Sequence, residues 1–151
     1  MQESKLTLIV GGALVAIGGV AIFAAKVFSG PTTPRTNREV ALDCTTDMAT
    51  QFHIHPHLAI FVNGQNVEVP ANIGVTRICM NALHTHDTSG TIHVESPEKR
   101  DFALADFFAV WNKKLEDFGT TTPRMLVNGT ENAELLAYPM KDKDKIELYF
   151  E

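Results

Sequence analysis

"QFHIHPHLAIFVNG", residues 51–64, decides how the rest of the chain is read. Phe52, Ile54, Pro56, Leu58, Ile60 and Val62 fall on one face of an extended strand, and His53, His55, His57, Ala59 and Phe61 fall on the other. The aliphatic set is the core face, which leaves three imidazoles off it. Asn63-Gly64 is a hairpin signal, and "QNVEVPANIGV" supplies the returning strand. Pro56 cannot donate a ladder hydrogen bond, so the strand is an edge or is bulged there, and a bulge re-aims His57.

Further along, "ALHTHD" and "TIHVES" read as two more strands around a turn at "TSG". In the second of them Ile92 and Val94 alternate with Thr91, His93 and Glu95, so histidine and glutamate again lie opposite the aliphatics. "FALADFFAVWNKKLEDFG" changes to helical spacing, with Leu104, Phe107, Phe108, Trp111, Leu115 and Phe118 in one apolar stripe and Gly119 as its stop. A final hairpin is expected from "RMLVNGT" and from Ile146, Leu148 and Phe150, which alternate with Glu147, Tyr149 and Glu151 after a turn at "KDKD". The order of hairpin, histidine-rich strands, helix and hairpin predicts an α+β, β-grasp-like domain in which a mixed sheet packs on one amphipathic helix.

Ahead of this domain, Leu6–Ala25 contains no ionisable side chain. Twenty helical residues span about 30 Å, the thickness of a bilayer's hydrocarbon core, so the stretch reads as a transmembrane anchor. The competing reading is a cleaved signal peptide, whose apolar region would run to about 7–15 residues and end in a small-x-small site. "SGPTTPRTNREV" then reads as an extended tether. The expected organisation is an anchor over 1–28, a linker over 29–40 and a histidine-rich domain over 41–151. Lys5 lies before the span and Lys26, Arg35 and Arg38 after it, so basic residues give no clear orientation. The signal-anchor character of the N-terminus and the cysteines favour a single-pass membrane protein with its soluble domain on the periplasmic or extracellular side. A net charge of -5 with no basic stripe argues against a nucleic-acid partner.

All six histidines lie between residues 53 and 93. Residues two apart on a strand project from one face about 6–7 Å apart, close enough for both rings of an H-x-H pair to reach one ion. The candidate metal ligands are His53, His55 and His57 in the first strand, His84 and His86 with Asp87 in the second, and His93 with Glu95 in the third. Asp87 could instead accept a ring N–H from a ligating histidine, and Glu95 could serve as a general base beside a bound water. Imidazoles with carboxylates suit copper or zinc rather than magnesium or calcium, and the affinity order gives copper a slight preference. Met48 and Met80 are possible soft ligands, although core packing is the commoner fate of methionine. Cys44 and Cys79 flank the first hairpin. In an exported domain they are expected to form a disulfide, with metal thiolates as the competing reading.

"FHIHPHLAIFVNG", "LHTHDTSGTIHVES" and "FALADFFAVW" together resemble a family of small prokaryotic proteins with an N-terminal membrane anchor and the motifs H-x-H-x-H-L and L-H-T-H-D-x-S-G-x-I-H-x-E. The resemblance covers about Cys44 to Trp111 and implies an anchored histidine-rich domain, with no reaction attached. "QFHIH" also resembles, over five residues only, the zinc-binding strand of α-type carbonic anhydrases.

Three functions compete. The first is an exported, membrane-tethered copper- or zinc-binding domain for metal delivery or storage, or as an accessory subunit of a membrane complex. The second is a small metalloenzyme, a hydratase, hydrolase or copper redox protein, with an open coordination position for water. The third is a metal-free structural subunit.

Overall fold

The computed structural model describes residues 34–46 and 50–151. A first helix, α1, runs from Asn37 to Leu42 and is closed at its start by a capping box. There the Glu39 N–H donates to Thr36 Oγ1 at 3.2 Å and the Thr36 N–H donates to Glu39 Oε2 at 2.7 Å. Val40 and Ala41 on it are buried. The compact unit begins at Arg35, so the last residues of the stretch read as a tether belong to it.

Among the described residues ten strands follow in chain order, with a second helix among them: β1 (Cys44–Thr45), β2 (Phe52–Ile54), β3 (His57–Val62), β4 (Gln65–Val67), β5 (Met80–Asn81), β6 (Leu83–His84), β7 (His93–Ser96), α2 (Leu104–Trp111), β8 (Arg124–Val127), β9 (Thr130–Glu131) and β10 (Lys145–Phe150). They make three sheets among the described residues. The largest has the order β4-β3-β10-β8-β9, the second β2-β7-β6, and the third is the pair β1-β5. β3 and β10 run parallel, from His57 opposite Lys145 to Val62 opposite Phe150, and the other pairings are antiparallel. Leu58, Ile60, Ile146, Leu148 and Phe150 from these two central strands are buried together with Phe102, Leu104, Phe107 and Phe108. Both hairpins turn on Asn-Gly with positive φ at each residue, 49° and 75° at Asn63-Gly64 and 53° and 79° at Asn128-Gly129.

The expected architecture, a transmembrane helix ahead of a single mixed sheet on one amphipathic helix, is corrected by this arrangement. The described chain is mostly sheet with two short α-helices, and no helix among the described residues is long and apolar enough to cross a membrane. Leu6–Ala25, where the sequence suggests an anchor, lies outside the described residues. The alternating stretch 52–62 is two strands in two different sheets. Pro56 breaks it: β2 ends at Ile54, and the chain re-forms at His57 with its N–H on the Asp144 carbonyl at 2.8 Å. The apolar stripe is also divided. Asn112 adopts the left-handed conformation at φ 56° and ends α2, and Leu115–Phe118 forms a separate 3-10 turn.

Gly90 ties the histidine-rich loop to β3. Its carbonyl accepts from the Leu58 N–H at 2.8 Å, its φ is +86°, and a β-carbon there would lie 2.2 Å from the Leu58 oxygen. Only glycine fits that approach.

Candidate metal centre

The three-stranded sheet explains why the histidines gather. β7 is its middle strand, with His53 opposite Glu95 and Ile54 opposite Val94 on one side, and Leu83 opposite Val94 and His84 opposite His93 on the other. Continuing the first register by one pair sets His55 against His93. A row of imidazoles therefore crosses the sheet as His55, His93 and His84, with strands about 4.8 Å apart. His53 and His86 stand two residues away along their own segments and flank the row. The other face of the sheet belongs to the core, with Leu83 and Val94 fully buried.

The ring distances agree with this register. The His93 centroid lies 4.7 Å from His55, 4.5 Å from His86, 5.4 Å from His84 and 6.0 Å from His53, and the His53 and His55 rings are 4.4 Å apart. Two trios have one nitrogen from each ring within 4.8 Å of the others: His53, His55 and His93, and His84, His86 and His93. His84 Nε2 and His86 Nε2 are 3.2 Å apart. Two nitrogens each about 2.0–2.1 Å from a tetrahedral ion would lie about 3.3 Å from one another, so this pair already has ligand spacing.

Hydrogen bonds choose which nitrogen each ring can offer. His84 Nδ1 sits 3.0 Å from the Asn81 carbonyl oxygen, which can only accept; the proton is therefore on Nδ1, and the Nε2 lone pair faces His86. His53 Nε2 lies 3.1 Å from Glu95 Oε1, which leaves Nδ1 of that ring as the free nitrogen. Glu95 Oε2 accepts in turn from Thr50 Oγ1 at 3.2 Å. The backbone of His55 is held by the turn before β10, its N–H donating to Asp142 Oδ1 at 3.0 Å and its carbonyl accepting from the Lys143 N–H at 3.3 Å. Burial holds the His84 ring below the ordinary histidine range, against the raising effect of the Asn81 carbonyl. Burial also lowers His93, helped by the neighbouring His86, His55 and His84 rings. Both rings are thus poised as neutral donors at pH 7, the form that binds metal.

Five of the six histidines meet here, and the sixth does not. His57 is exposed at the start of β3, in the other sheet, and belongs to neither trio. Asp87 is exposed, and hydrogen bonding from the Ser89 side chain and then from the Ser89 N–H, at 2.8 Å, pulls its carboxyl below the usual range; it too lies outside both trios. Glu95 supports His53 rather than joining a trio. Cys44 on β1 and Cys79 just before β5 form a disulfide, so neither offers a thiolate. Met80 lies on β5 in that same two-stranded sheet, and Met48 falls outside the described residues. The Asn81 carbonyl and the Asp142-Lys143 turn carry no sequence signal, because a backbone acceptor has no residue type and "KDKD" reads only as a turn.

No protein-family model matches the chain, and no curated protein or solved structure matches it significantly. The site's own chemistry therefore carries the functional argument.

Proposed function

We propose that this domain binds a copper or zinc ion through histidine nitrogens and holds it for delivery or storage, in an oxidising compartment outside the cytoplasm. The observation that carries the reading is the convergence of five imidazoles from three neighbouring segments, with two trios inside 4.8 Å. The donor set is nitrogen from imidazole, which suits copper and zinc and disfavours hard cations. Copper stands ahead of zinc in intrinsic affinity, so it is the preferred cargo wherever it is available. The Cys44–Cys79 disulfide supports the compartment, since cytosolic thiols are kept reduced.

One observation favours a second reading. Each trio provides three ligands and leaves a fourth position open, the coordination of a catalytic zinc with bound water. Glu95 is a carboxylate held beside the site, but its two oxygens already face His53 and Thr50, which weakens it as a general base.

Element analysis of the full chain, purified without an affinity tag or added metal, tests the proposal. Copper or zinc near stoichiometry is expected, with x-ray absorption giving a nitrogen shell at about 2.0 Å. A folded chain that stays metal-free after incubation with either ion overturns it. An exchangeable water on the bound ion would favour the enzymatic reading.

A further inference from the structure

We propose that the two histidine trios are alternative positions for a single ion, with His93 as the pivot on which the ion passes from one to the other. The inference rests on the metal-binding reading above and adds how the ion moves within the site.

His93 is a member of both trios. A neutral imidazole has one protonated nitrogen and one lone pair, so it can complete only one three-nitrogen site at a time. The partner pairs lie on opposite sides of it. His53 and His55 come from the β2 side of β7, and His84 and His86 from the β6 side. His55 and His86 both stand edge-on to His93, at interplanar angles of 87° and 72°.

The two positions differ in burial and in support. Each has one exposed ring, His53 in the first and His86 in the second, but only the second has a wholly buried one, His84, fixed by the Asn81 carbonyl, whereas His53 is fixed by the Glu95 carboxylate. An ion is therefore acquired or surrendered at the His53/His55 position and retained at the His84/His86 position. Passage between them breaks two metal–nitrogen bonds and forms two, while the bond to His93 persists. No proton or electron is needed, and the ion is never released to solvent on the way.

Zinc is the probe of choice because it has no redox chemistry and no ligand-field preference. Calorimetric titration of the full chain is expected to give one zinc per wild-type molecule. The paired variants His53→Ala/His55→Ala and His84→Ala/His86→Ala should each still bind one zinc, because a complete trio survives in both. Their Kd should stay within about tenfold of wild type. His93→Ala should weaken binding by about 100-fold or more, beyond the 10–100-fold typical of losing a ligand's hydrogen-bond partner. Release to a chelator should be faster from His84→Ala/His86→Ala than from His53→Ala/His55→Ala.

Two zinc ions per wild-type chain would overturn the pivot, and this measurement does not depend on any variant folding. So would complete loss of binding in a single folded paired variant, or a wild-type Kd in His93→Ala. A folded wild-type chain that binds no zinc or copper at all overturns the metal-binding reading itself, which separates the two failures.

Discussion

At the scale of single residues, two neighbours in type behave differently because of where the chain puts them. His55 and His57 are two apart and look equivalent in the sequence, yet His55 is 4.7 Å from His93 by ring centroid and His57 belongs to the other sheet. His57→Ala is therefore expected to leave zinc affinity within about twofold of wild type, whereas loss of a group that supports a ligand typically costs about 10–100-fold. Calorimetry on the variant would show the difference, and a large loss would place His57 in the site. Titration gives a second expectation. His84 and His93 are held below the ordinary value near 6.5, chiefly by burial, so below that pH the unfolded chain takes up protons that the folded chain resists. Their contribution makes the metal-free protein fully stable above about pH 6.5 and progressively less stable as the pH falls toward the lowered folded values. Urea midpoints at pH 7.5 and pH 5.0 check this; an equal or higher midpoint at pH 5.0 would contradict it.

At the scale of elements, the sequence was legible where structure is local. The alternation of Leu58 and Ile60, that of Ile146, Leu148 and Phe150, and the two Asn-Gly turns all appear as read. What it hid was which sheet each strand joins. Pro56 removes a donor in the middle of an unbroken alternating pattern, and the chain then answers to two distant partners, β7 for Phe52–Ile54 and β10 for His57–Val62. The aromatic stripe hid its break in the same way, because Asn112 ends the helix through a backbone conformation that hydrophobic spacing does not report. Gly90 is the clearest test at this scale. Gly90→Ala must hold φ at +86° and clear a contact of 2.2 Å with the Leu58 oxygen, a backbone atom that cannot swing aside. A loss of about 2–6 kcal/mol is expected, from backbone strain and overpacking at about 1–3 kcal/mol each. Chemical denaturation measures it, and an unchanged midpoint would show that the loop can move away from β3.

At the scale of the molecule, the disulfide and the histidine cluster adjoin at β5, where Asn81 stands opposite Cys44 and its carbonyl holds His84, but neither cysteine is a ligand. Cys44 and Cys79 close a separation of 35 residues, worth about 3–4 kcal/mol on the chain-entropy account. A thiol-blocking reagent should label neither cysteine in the non-reduced protein. Reduction should lower stability by about that amount without changing metal stoichiometry, because the ligands are imidazoles. The convergence itself was half legible. Histidine opposite the aliphatics in three segments announced a shared face, but only long-range pairing could say that His93 stands between the other two pairs. The most direct test of the account is equilibrium dialysis of the full chain against zinc, beside a variant in which His53, His55, His84, His86 and His93 are all alanine. One ion per wild-type chain and none on the folded variant is the predicted result. Equal binding by both proteins, or none by either, would contradict it.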